Sequence, residues 1–150
     1  MAERNFQEVN AYVASVPPMR GLDPLLTHLG ILGAPVFDEE GVSMRLQLAE
    51  HHMNGGATAH GGLIMTLMDA VLACCTLGHG DGRPCVTIEL KTNFMRPGGS
   101  PGEVLHARGR LRTSGGSLAF CDGEVRSESG ELVATATGTF KYVRRSMSLV

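Results

Sequence analysis

The sequence predicts an α+β fold in which a curved antiparallel sheet of about six strands wraps one long hydrophobic helix, with short helices leading in. Three observations carry that prediction. The run "HGGLIMTLMDAVLACC", His60 to Cys75, is apolar apart from a single acid. Four strand-like runs follow it, punctuated by "GGSPG", "SGG" and "SGE". A helix apolar nearly all round must be covered, and an antiparallel sheet is what the rest of the chain supplies.

Residues 5–15 and 23–29 read as short helices. "SVPPMRG" interrupts them, since Pro17 and Pro18 cannot continue a helix, and Asp23 suits a cap for the second. "ILGAPVF" and "VSMRLQLAE" read as a strand pair turning through "DEEG". The long helix runs from Gly62 to about Leu77, between "NGGATAHGG" and "GHGDGRP"; its Met, Leu and Ala content favours helix over strand. The strand runs are "PCVTIELKTNFMRP", "GEVLHARGRLRT", "SLAFCDGEVRSES" and "ELVATATGTFKYV". Two of them, "TIELKTNF" and "ELVATATGTF", alternate apolar and polar residues as strands with one buried face do. With no repeat and no low-complexity stretch, residues 1–150 form one domain: a helical lead-in over 1–30, a core over 31–143 and a tail over 144–150.

Composition narrows the function. The chain has 150 residues with a formal net charge of −2, and no basic cluster longer than Arg144 and Arg145, so nucleic acid is not an expected partner. A charged fraction of 19% is low enough to expect self-association. Cys74, Cys75, Cys85 and Cys121 lack CxxC spacing and read as small hydrophobes in a reducing compartment. The N-terminus has no signal-peptide pattern, and residues 62–78 fall short of the ~20 that a membrane span needs, so a soluble cytoplasmic protein is expected. His51, His52, His60 and His79 lack partners at ligand spacing, and no metal is expected.

The solitary acid is Asp69. Its helical neighbours at three and four residues are Met65, Thr66, Leu72 and Ala73, so a carboxylate there needs a partner: a structural one such as Thr66 or backbone amides, or a catalytic task. "HGG" at the helix entry puts unpaired amides at the positive end of the dipole, where they can hold a developing oxyanion; Gly61 and Gly62 can equally make a tight turn. On one helix Gly61 and Asp69 lie roughly 12 Å apart, too far to address one carbon. Two antiparallel helices across a two-fold axis would bring Gly61 of one subunit to Asp69 of the other.

These residues together, "NGGATAHGGLIMTLMD" followed by "VTIELKTNFMRPG", resemble the PaaI-type (phenylacetic-acid-pathway) hotdog thioesterases, over roughly Ile31 to Val143. The resemblance implies hydrolysis of acyl-CoA or aryl-CoA thioesters by a homodimer, most simply within a dimer of dimers. Asp69 would be the catalytic carboxylate, as general base or nucleophile. Gly61 would donate its amide to the thioester oxygen, Asn54 would hold water or thioester, and Thr87 would assist the acid. His60 and Gly62 would lie beside the substrate. Arg96 in "FMRPGG" and Gly115, Gly116 and Ser117 in "TSGGS" would occupy nucleotide-binding positions. Many relatives carry Lys or Arg where this chain has Gly116, which implies either weaker affinity for the CoA phosphates or a charge supplied by Arg112, Arg144 or Arg145. No cofactor is implied. A non-catalytic acyl-CoA-binding module and a thioesterase acting on acyl carrier protein are the alternatives; the latter would use a basic patch such as Arg108, Arg110 and Arg112, which share one strand face.

Overall fold

The computed structural model describes residues 5–15, 23–31, 34–80 and 82–143. "SVPPMRG" after Ser15, and Arg144 and Arg145, lie outside the described residues. Helix α1 spans Phe6–Ser15 and α2 spans Pro24–His28, where Asp23 caps by accepting from the Leu26 N–H at 3.1 Å. Six strands follow: β1 (Val36–Asp38), β2 (Gly41–Gln47), then, after helix α3 (Gly61–His79), β3 (Cys85–Phe94), β4 (Val104–Gly115), β5 (Leu118–Arg126) and β6 (Leu132–Tyr142). They form one antiparallel sheet in the order β1-β2-β4-β5-β6-β3. The expected helix and long strands are present. Among the described residues the first hairpin strand is shorter than "ILGAPVF" suggested, because Val36–Asp38 pairs with β2 and Ala34 and Pro35 do not; residues 32–33 lie outside the described residues.

The sheet curls around α3, which buries Leu63, Ile64, Leu67, Met68, Val71, Leu72, Cys75 and Thr76. The helix is not covered all round: Met65 and Leu77 remain exposed. Gly109 and Gly123 pair across β4 and β5 beneath it. A Cβ on Gly123 would lie 2.6 Å from Met68 Sδ and 3.0 Å from Leu72 Cδ2, and one on Gly109 3.0 Å from Leu72 Cδ2. These glycines form the floor that lets the helix approach the sheet closely.

The two edges of the sheet differ. On β1, the Asn10 side chain of α1 donates to the Phe37 carbonyl at 2.7 Å and accepts from the Phe37 N–H at 2.8 Å, standing in for a further strand. At the other edge, β3 exposes Val86, Ile88 and Phe94, with Met95 just beyond; Ile88 is 57% exposed. A bare apolar edge strand is a template for pairing with another chain.

Candidate active site

Asp69 sits midway along α3, half-buried, and its Oδ1 accepts a hydrogen bond from the Thr87 hydroxyl at 2.8 Å. Thr66 is not its partner, because the Thr66 hydroxyl turns back to the Gly62 carbonyl at 2.9 Å. Thr87 reaches the acid because β3 is irregular. Its register with β6 shifts between Thr87 and Glu89, so Thr87, still exposed at the open edge, pairs with the buried Phe140 and turns its hydroxyl to α3, while Ile88 takes the extra position. A bulge re-aims the side chains on one side of it, and here it turns the threonine towards the helix.

The helix entry is built from the loop before it. Asn54 Oδ1 accepts from the N–H groups of Gly56 at 2.8 Å and Thr58 at 3.3 Å, and Ala57 takes a left-handed φ of 57° between them. The Asn54 carbonyl oxygen is thereby engaged by its own loop, and contact with water or thioester falls to its amide nitrogen. His60 is the N-cap, with Nδ1 accepting from the Gly62 N–H at 2.9 Å. That places the Gly62 amide on His60 rather than on a substrate. The Gly61 N–H meets no protein acceptor among the described residues, and the Phe94 ring lies against this glycine, 3.3 Å from where a Cβ would stand. It is one of the first-turn donors a helix leaves open, at the positive end of its dipole.

His52, which sequence reasoning did not assign a role, anchors this region. It is buried, its Nδ1 accepts from the Ala49 N–H at 2.9 Å, and its Nε2 donates to the Leu29 carbonyl at 2.6 Å. Its own carbonyl receives the His60 N–H at 2.9 Å, which fixes the capping residue. The bond from Ala49 requires an unprotonated Nδ1, so the Nε2–H tautomer follows from the two partners together.

Neither Cys85 nor Cys74, the partly exposed cysteines, competes with the acid. Burial, followed by the nearby Asp69 carboxylate, pushes the Cys85 thiol up, against the lowering influence of a hydrogen bond with Thr76. Burial and then Cys85 push the Cys74 thiol up to about 12. Neither is a thiolate at neutral pH, and the thiolate is the nucleophilic form.

The nucleotide-binding candidates separate into two groups. Arg96 follows the C-terminal end of β3, in a loop whose Gly99 carbonyl accepts from the Ala59 N–H at 2.9 Å and the Thr58 hydroxyl at 3.1 Å, tying it to the helix entry. Its guanidinium lies 3.8 Å from Glu131, beside an open groove of about 780 Å³ lined also by Glu103 and Glu128. Gly115, Gly116 and Ser117 form the exposed β4–β5 turn, level with the N-terminal end of β3, with Gly116 at φ 58°. About ten residues of strand, roughly 30 Å, separate the two groups, so one protomer does not bring them together.

Arg108, Arg110 and Arg112 do share a face, but each has an acid beside it. Arg108 holds Asp38 at 2.7 Å, Arg110 approaches Glu40 at 3.7 Å, and Arg112 reaches Asp122 at 3.1 Å. That face is charge-balanced rather than a basic patch.

A six-stranded antiparallel sheet curled around one long helix is the hotdog thioesterase fold. The chain belongs to the thioesterase superfamily, whose family model matches residues 56–134. It is 34% identical over 125 residues to a Pseudomonas aeruginosa protein classed as an esterase, covering 82% of this chain and 91% of that one. It is 26% identical over 137 residues to acyl-coenzyme A thioesterase 13 of Mus musculus, covering 91% and 93%. Among solved structures, the PaaI protein of the E. coli phenylacetic acid degradation operon superposes with a TM-score of 0.76 at 24% identity, over 91% of this chain and 93% of that one.

Proposed function

We propose that the protein is a cytoplasmic acyl-CoA thioesterase, hydrolysing acyl-CoA or aryl-CoA to free acid and CoA in sites shared between two subunits. The observation that carries this reading is the Asp69–Thr87 hydrogen bond, formed between the edge strand β3 and an otherwise apolar helix. Thr87 occupies Oδ1 and orients the carboxylate, leaving Oδ2 for chemistry.

In the general-base route, Asp69 takes a proton from water while the oxygen attacks the thioester carbon. The Gly61 N–H and the helix dipole receive the resulting oxyanion, and collapse expels CoA thiolate, which takes back the proton. In the nucleophilic route, the carboxylate attacks the thioester carbon, the C–S bond breaks and CoA leaves as thiolate; water then cleaves the acyl anhydride to free acid and the Asp69 carboxylate, and the proton released goes to the thiolate. In a single turnover in ¹⁸O-water, label in Asp69 identifies the second route with water attacking the Asp69 carbonyl of the anhydride, since the general-base route puts label only in the product acid.

The dimer follows from distance and from the bare edge. Gly61 and Asp69 stand eight residues apart on one straight helix, so the amide for one carbonyl comes from the partner. Antiparallel pairing of β3 with β3 covers Val86, Ile88 and Phe94. It also lays the Arg96 end of one protomer beside the Gly115–Ser117 turn of the other, uniting the two nucleotide-binding groups. Exposed Met65 and Leu77 on α3 give a second apolar surface on which two dimers pair. The balanced charges around Arg108, Arg110 and Arg112 favour CoA over a carrier protein as the acyl donor.

The test is CoA release from medium-chain, long-chain and aromatic acyl-CoAs by wild type and Asp69→Asn, both verified as folded oligomers. Turnover that falls by about two orders of magnitude or more in the variant supports the reading. CoA binding without release by the wild type would instead make the protein a binding module.

A further inference from the structure

The β4–β5 turn, "SGGSL", has no charged side chain of its own. The fold brings one to it from elsewhere. Arg83, in the connection between α3 and β3, donates from Nη2 to the Gly116 carbonyl at 2.6 Å, and its guanidinium carbon lies 4.6 Å from the centre of the Tyr142 ring. Tyr142 is held in turn, since its N–H donates to the Ser117 carbonyl at 2.8 Å. The cation is thus fixed to the turn from two sides, over an aromatic face that favours a guanidinium.

We propose that Arg83 is a substrate-binding residue that holds a phosphate of the CoA nucleotide at the Gly115–Ser117 turn. The inference rests on the acyl-CoA reading above. Three features support it. A guanidinium keeps its full charge at any working pH and offers five donors in a plane, a geometry matched to phosphate oxygens. Gly115 and Gly116 carry no side chain between that charge and solvent, and a Cβ at either would meet nothing within 4 Å, so a bulky anion can approach the turn. Arg83 also precedes Thr87 by four residues, roughly 13 Å of extended chain, which separates a phosphate site from the reacting carboxylate by a span suited to the pantetheine arm.

Arg83 and Arg96 stand at opposite ends of β3. Arg96 lies 3.8 Å from Glu131 on the rim of a groove that also carries Glu103 and Glu128, so the field there is mixed. At the turn, Arg83 has the Gly116 carbonyl and the Tyr142 ring among its neighbours. In the antiparallel dimer the two arginines come from different subunits and approach the same nucleotide from opposite sides.

The experiment compares kcat and KM for one acyl-CoA and for the corresponding acyl-pantetheine, which lacks the nucleotide, in wild type, Arg83→Ala and Arg83→Lys. The expected result is a KM for acyl-CoA raised about ten-fold in Arg83→Ala with kcat within two-fold, partial recovery in Arg83→Lys, and an unchanged KM for acyl-pantetheine. The wild-type KM for acyl-CoA should also rise with salt more steeply than that of Arg83→Ala. Equal KM increases for both substrates would overturn the proposal, because they would mean that Arg83 only shapes the turn; so would an unchanged KM for acyl-CoA. If wild type releases no CoA at all, the thioesterase reading fails on its own, and calorimetric titration with free CoA decides the matter for Arg83. Binding weakened about ten-fold in Arg83→Ala supports the site, and equal affinity overturns it.

Discussion

At the scale of single residues, the account turns on one carboxylate, one hydroxyl and one amide. Thr87→Val keeps the shape of the side chain and removes the donor to Asp69 Oδ1. It should lower kcat by about ten-fold with little change in KM, as expected for the loss of one charge-assisted hydrogen bond that orients the acid. Gly61→Pro isolates the amide. Proline is tolerated at the first helical position, and His60 before it already has the extended conformation that precedes proline, with φ −64° and ψ 135°. The variant should fold, retain Asp69 and lose about 10²-fold or more in kcat, the scale of removing an oxyanion donor. Asp69 is conspicuous in sequence because an acid within an apolar run demands a partner. The identity of that partner was harder to read: Thr66 and Thr87 both fit by type, and the decision lies in a strand bulge that alternation does not announce. Asn54 and His52 illustrate the same limit. Their hydrogen bonds close a loop and anchor it to Leu29, 23 residues away from His52, and no local pattern encodes such a contact.

Among the elements, α3 and its glycine floor set the stability of the site. Gly123→Val would drive a branched side chain into Met68 and Leu72, which are fully buried, and should destabilise the protein by about 1–3 kcal/mol, read as a lower urea midpoint. The β1–β2 corner carries a pH-dependent contribution. The Arg108 hydrogen bond holds the Asp38 carboxyl below its ordinary value, with smaller help from the Glu40 and Gly41 amides and some opposition from burial. A depressed carboxylate stabilises the fold above its unfolded value of about 4 and loses that contribution as pH falls through the folded value. Asp38→Asn should therefore be less stable than wild type at pH 7, by about 1 kcal/mol or less because solvent screens a half-exposed pair, and the two should converge in acid. Urea unfolding at pH 7 and pH 3 checks both limbs. The long helix and the long strands were legible from composition and punctuation. The brevity of β1 was not, since "ILGAPVF" is as strand-like as the pairing segments and only the partner strand decides how much of it joins the sheet.

For the molecule as a whole, the proposed mechanism requires a second copy. One sheet edge is closed by Asn10, while the other leaves Val86, Ile88 and Phe94 exposed, so strand pairing is favoured at the β3 edge. Ile88→Arg should shift the protein towards monomer in light scattering and take activity with it, while leaving the helical circular dichroism in place. The amide–acid separation on α3, fixed by the sequence itself, makes the same demand. The most direct test of shared sites is subunit mixing. Asp69→Asn and Gly61→Pro proteins, each inactive alone, are combined in equal amounts and allowed to exchange. If the Gly61 amide of one subunit serves the Asp69 of the other, half the dimers are mixed and half of their sites are intact, so activity should return to about one quarter of wild type. No recovery from subunits shown to have exchanged would place both groups in the same subunit and contradict the account.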